Sequence, residues 1–177
     1  MNKELLLSNL RNIPDFPIPG IQFKDVTSLF KNPACMQELD KALYEMYKDC
    51  GITKIVGIES RGFVMASALA VKLNAGFVPI RKPGKLPAET ISESYGKEYG
   101  RDTIEIHKDA IDENDVVLIH DDLLATGGTM LAAYNLVKKL NPRRVMINFL
   151  IELEGLKGRS TFPADAEIDC LLTLEGK

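Results

Sequence analysis

Within fourteen positions, Val116 to Thr129 (VVLIHDDLLATGGT), the chain sets two kinds of ligand chemistry side by side. An apolar run leads into adjacent carboxylates, Asp121 and Asp122, and then into Ala125, Thr126, Gly127, Gly128 and Thr129. Read as a strand followed by a helix, this places the acids at the carboxyl end of a sheet, where ligands of open α/β folds sit. Carboxylates there are costly to desolvate unless they meet hydrogen-bond donors or cations. Sugar hydroxyls are such donors, and a magnesium ion would favour both charges. Glycines let backbone approach a ligand closely, the free N–H groups of a first helical turn attract phosphate, and the two threonines add hydroxyls. A diol at one end and a phosphate at the other describe a ribose 5-phosphate. Two aspartates alone could cap a helix and two glycines alone could turn a chain; the whole string is more specific than either. No Gly-Lys-Ser/Thr follows it, and no G-x-G-x-x-G follows any strand.

The surrounding text supplies elements that could hold such a string. Lys54–Ile58 reads as a strand, Gly62–Asn74 as an apolar helix and Phe77–Ile80 as a second strand. The pattern returns as a strand over Val116–His120, a helix over Gly128–Leu140 and a strand over Val145–Leu153, with Ile168–Leu174 as a last strand. Alternation of this kind predicts an α/β fold, an open and mostly parallel sheet flanked by helices. Upstream, Asn32 as a cap and Pro33 at the first helical position open a helix whose apolar residues recur until Gly51. Residues 13–30 begin as a proline-rich arm. Residues 81–101 are polar and glycine-punctuated, which suits a mobile lid or a solvated hairpin, and 102–109 alternate like a half-exposed strand.

Bulk composition sets the outer limits. At 177 residues the chain is expected to form a single domain spanning 1–177. With 25 acidic residues against 22 Lys plus Arg, the net charge of −3 argues against nucleic-acid binding by bulk positive charge. Leu5–Leu7 is too short for a secretory core, and no apolar stretch nears the ~18 residues of a membrane span. Cys35, Cys50 and Cys170 form no C-x-x-C pair, and His107 and His120 are too few for a histidine-rich metal site. A reduced, cytoplasmic protein is the expectation.

VVLIHDDLLATGGT resembles the phosphoribosyl-pyrophosphate motif of the type I phosphoribosyltransferases. FPIPGIQFKDVTSLF (16–30), GIESRGFVMASALA (57–70) and FVPIRKPGKLPAETISESYGKEYG (77–100) extend the likeness over nearly the whole chain and point to the adenine-using branch. The resemblance implies transfer of phosphoribosyl from 5-phosphoribosyl 1-pyrophosphate to adenine, giving AMP and pyrophosphate, by a magnesium-dependent homodimer without nucleic-acid or membrane partners. It implies that Asp121 and Asp122 hold the ribose hydroxyls and that Ala125, Thr126, Gly127, Gly128 and Thr129 hold the 5-phosphate. Arg61, Arg81 and Lys85 would serve the pyrophosphate, the last two from the neighbouring subunit, with Lys82 gathered among these cations. Magnesium would be held mainly through the substrate. Glu98, assisting proton transfer at the base, and Tyr99 match the Glu-Tyr-Gly of the family's lid, and Phe23 matches the residue set against the purine. Lys24, where the family has arginine, and His120, where it has an aliphatic residue, depart from the pattern. A transferase for hypoxanthine or xanthine, or a ligand-sensing regulator of the same fold, are the competing readings.

Overall fold

Apolar residues recurring at helical and strand spacing set the order of elements. The computed structural model describes residues 1–96 and 100–176. It opens with α1 (Lys3–Asn9), a hairpin of β1 (Arg11–Pro14) and β2 (Gln22–Asp25), the single turn α2 (Thr27–Phe30) and α3 (Pro33–Tyr47). The first strand–helix–strand unit is β3 (Lys54–Ile58), α4 (Gly62–Lys72) and β4 (Gly76–Ile80). A hairpin of β5 (Thr90–Gly96) and β6 (Arg101–His107) follows. Then come β7 (Val116–Leu124), α5 (Gly128–Lys138), β8 (Arg144–Leu153) and β9 (Glu167–Leu174).

Local chemistry accounts for the best-read helix. Asn32 Oδ1 accepts from the Ala34 and Cys35 N–H groups at 2.9 and 3.3 Å, and Pro33 has no N–H to leave unpaired. Leu39, Leu43 and Tyr47, each four residues apart, bury one stripe of α3 against the sheet.

The sheet has five parallel strands in the order β4-β3-β7-β8-β9. Its strands are apolar on both faces because both are covered. Helices α1 to α4 close one side over Ile55, Leu118 and Leu150; α5 and the β5–β6 hairpin close the other over Val117, Ile119 and Ile147. From β3 the chain builds outward to β4, and from β7 it builds the opposite way to β8 and β9. The reversal between β3 and β7 is the switch point at which an open α/β sheet leaves a crevice.

Two stretches depart from the sequence expectation. The strand expected to stop at His120 runs on to Leu124, because β8 pairs with it as far as Leu124↔Glu152. Its other neighbour, β3, pairs only as far as Gly57↔His120, so Asp121 and Asp122 follow the last pair with β3 while the strand stays tied to β8. In the segment read as lid, residues 90–96 form a regular antiparallel strand against β6, and positions 97–99 lie outside the described residues. Among the described residues no helix is long and apolar enough to cross a membrane.

Beneath the carboxylates lies a buried polar pair. His120, 1 % exposed, shares a 2.8 Å hydrogen bond between its Nδ1 and Asn148 Oδ1 on β8. Burial pushes the imidazole down to about 4, so it is neutral around neutral pH and does not titrate there. A folded-state value below the ordinary 6.5 means that this stability is present above 6.5 and is lost as pH falls through about 4. His120→Val should therefore lose less stability on acidification from about pH 7 to about pH 4, by on the order of 3 kcal/mol. Urea unfolding at the two pH values checks this; equal acid loss in both chains would contradict it.

Candidate active site

Side chains from both halves of the sheet converge on the crevice between the carboxyl ends of β3 and β7. An open cleft of about 330 Å³ is lined by Glu59, Arg61, Arg81, Asp121, Asp122 and Thr129, among others. A second hollow of about 250 Å³ continues from Arg61 and the two aspartates along residues 125–129. The sequence-predicted residues Arg61, Arg81, Asp121, Asp122 and Thr129, and also Lys82, thus face one cleft, and Ala125 to Gly128 line its extension.

The charges are arranged in pairs. The Asp122 side chain is 4 % exposed and accepts a hydrogen bond from Arg61 Nε, offered from the turn between β3 and α4. Asp121 Oδ1 accepts from the Asp122 N–H at 2.9 Å. Helix α4 can start beside it only because residue 62 is glycine: a Cβ there would lie 2.9 Å from Asp121 Oδ1 and from the His120 carbonyl oxygen. Burial, and then the neighbouring Asp122 charge, push the Asp121 carboxyl well above the usual range. Hydroxyl donors or a cation would relieve that penalty.

Opposite, Arg81 Nε and Nη2 each lie 3.2 Å from a Glu59 oxygen, and Glu59 also accepts from the Lys82 N–H at 2.9 Å. The Arg81 fork holds the Glu59 carboxyl below its usual range. The Lys82 ammonium meets Asp102. Lys85 meets Arg81 through its carbonyl oxygen, 3.4 Å from Arg81 Nη1, and does not line the cleft.

The two adjacent glycines of the loop are not equivalent. Gly127 has φ +86°, and a Cβ on it would lie 2.8 Å from the Gly158 carbonyl oxygen. A Cβ on Gly128 would meet only Tyr95 Cδ2, at 3.9 Å. The loop leans on the turn Gly158–Thr161: the Thr161 hydroxyl donates to the Thr126 carbonyl at 2.8 Å. That turn is held by Arg159 Nε, 2.8 Å from both oxygens of Glu152. This support was missed from sequence, as were Glu59, Tyr95 and Asp102; the only cue was the Gly155–Gly158 spacing before Pro163.

Phe23 stands at the rim, its ring centroid 5.8 Å from the Arg61 guanidinium carbon and 5.1 Å from the edge-on Phe16 ring. A flat base could lie against that aromatic face. Lys24 turns away, its Nζ 3.0 Å from Asn12 Oδ1 across the β1–β2 ladder. Glu98 and Tyr99 lie outside the described residues.

The model of the Phosphoribosyl transferase domain matches residues 25–174. The chain belongs to the phosphoribosyltransferase family. An adenine phosphoribosyltransferase of Bacteroides thetaiotaomicron is 68% identical over 174 residues, covering 98% of this chain and 99% of that one. Among solved structures, the adenine phosphoribosyltransferase of Rhodothermus marinus is 51% identical with TM-score 0.90, covering 97% of each chain. The enzyme of Giardia lamblia complexed with 9-deazaadenine is 40% identical with TM-score 0.93, covering 99% of each chain.

In this phosphoribosyltransferase the raised Asp121 carboxyl has a measurable sign. The fold favours its protonated form, so that stability is complete below 3.8 and is lost as pH rises through the folded-state value. Asp121→Asn should raise the melting temperature of the ligand-free protein near pH 7 by on the order of 3 °C, with the gain shrinking on acidification. A lowered melting temperature in calorimetry would contradict it. Gly127→Ala should cost about 1–2 kcal/mol for its left-handed backbone, more with the contact to Gly158, whereas Gly128→Ala should cost under about 0.5 kcal/mol. Chemical denaturation of the two variants makes the comparison.

Proposed function

We propose that this phosphoribosyltransferase joins adenine to 5-phosphoribosyl 1-pyrophosphate, giving AMP and releasing pyrophosphate, a reaction of purine salvage. The observation that carries the reading is the shared Arg61: it bonds Asp122 in the sugar-facing cleft and lies over Phe23 at the rim. One guanidinium therefore borders the places where ribose, pyrophosphate and base must meet.

The reaction breaks the bond between the ribose C1 and the pyrophosphate oxygen and forms a bond from C1 to a ring nitrogen of adenine, which loses its proton. A transition state with oxocarbenium character needs cations on the leaving group and acceptors on the ribose hydroxyls. Asp121 and Asp122 accept from the hydroxyls, and residues 125–129 hold the 5-phosphate on backbone N–H groups at the start of α5. Arg61, Arg81 and Lys82 receive the pyrophosphate in this cleft, and Lys85, which lies outside it, serves the pyrophosphate of the neighbouring subunit.

Breaking a buried ion pair is costly unless both partners are satisfied again. The substrate supplies both replacements: pyrophosphate oxygens for Arg61 and ribose hydroxyls for Asp122. Phe23 stacks on the adenine ring, while Glu98 and Tyr99 complete the site from the lid, Glu98 taking the proton from the base. Magnesium would be held mainly by the pyrophosphate and ribose oxygens and would screen the charge of pyrophosphate as it leaves. Among the described residues, no group of three or more acids, histidines or cysteines gathers to hold a metal. Exposed Val64, Val71 and Phe77 on α4 and β4 support a cytoplasmic homodimer in which each chain is a single catalytic domain.

Incubation with adenine, 5-phosphoribosyl 1-pyrophosphate and magnesium should yield AMP and pyrophosphate in equal amounts, with hypoxanthine and xanthine failing to compete. Absence of AMP would overturn the reading, and preferential use of another base would move it to that purine.

A further inference from the structure

Tyr95 belongs to the hairpin rather than to the sheet, yet it touches the first turn of α5. It stands on β5 directly across from Asp102 on β6. Its phenol donates to Asp102 Oδ2 at 3.3 Å. Asp102 also meets the Lys82 ammonium through Oδ2 and takes the Thr103 N–H at 3.0 Å through Oδ1. An ionised carboxylate only accepts, so the phenol hydrogen is committed to it. The phenol oxygen is therefore the acceptor for the Thr129 hydroxyl, 3.2 Å away.

Thr129 has one hydroxyl hydrogen, and phosphate oxygens at neutral pH are acceptors. That hydrogen can point to Tyr95 or to a phosphate on residues 125–129, but not to both. We propose that Tyr95 is a positioning residue: it holds the Thr129 hydroxyl in the ligand-free protein and yields it to the 5-phosphate. The exchange releases one polar tie between the turn end of the β5–β6 hairpin and α5 in response to occupancy, while their apolar packing stays. This rests on the assignment of residues 125–129 to the 5-phosphate. Phosphate affinity is set partly by the bond that must be given up, and the hairpin learns of the ligand through that same bond.

Tyr95→Phe keeps the ring that lies against the loop at Gly128 and removes the hydroxyl, so it loses the acceptor for Thr129 together with the bond to Asp102, which stays paired with Lys82. With no bond to break, it should bind AMP more tightly than the natural chain, by about two- to tenfold, the net worth of one hydrogen bond. In a Thr129→Val background the same substitution should leave AMP affinity unchanged, because the exchanged hydroxyl is gone. Isothermal titration with AMP over the four chains reads both expectations. Unchanged or weakened binding in Tyr95→Phe would overturn the proposal, as would an equal gain in the Thr129→Val background. A natural chain that fails to bind AMP would instead strike at the functional reading on which the proposal stands.

Discussion

A carboxylate removed from water must find a donor or a cation, and Asp122 does so with Arg61. The pair joins the end of β7 to the turn that starts α4, so the two halves of the sheet meet in one electrostatic contact at their switch point. Around it the other charges follow the same rule: Arg81 rests on Glu59, and Lys82 on Asp102. The cations that face the cleft are thus each held by an acid of the same chain. Asp121, with a second acid beside it and no comparable fork, carries the unrelieved part.

That arrangement depends on strand lengths. Because pairing with β3 stops at His120 while β7 continues to Leu124 alongside β8, the acids lie past the last pair on one side and on a continuing ladder on the other. Rigid backbone thus presents them. The Gly62 approach then lets a helix begin against Asp121 without a side chain intervening. On the α3 side of the sheet, the neutral His120 and Asn148 share a buried hydrogen bond under the site, while His120 Nε2 has no partner among the described residues.

Much of this was readable from residues because it is local. The strand runs, the Asn32–Pro33 helix start and the D-D to G-G-T string each encode their structure within a few positions. The extension of β7 through its two acids was not legible, since only pairing with β8 makes an acidic stretch extended. Gly127 and Gly128 look alike in composition and differ only in what lies above them, a carbonyl from residue 158 or open space. His120 could be placed beside the site but not in its partnership, which crosses from one strand to the next. Tyr95 and Asp102 were hidden in a polar segment whose hairpin register, not its composition, sets them face to face.

The Gly158–Thr161 turn gives the cradle formed by residues 125–129 its shape. The loop at 125–129 has its left-handed glycine covered by Gly158 and its Thr126 carbonyl bonded by Thr161, both supplied by much later residues. A chain emerging from its amino end can form α3, β3, α4 and β4 from what has already been made. The cradle waits for the segment between β8 and β9. A later-made segment therefore makes the earlier glycine loop a defined surface, so a chain ended before residue 158 would carry the motif without its shape.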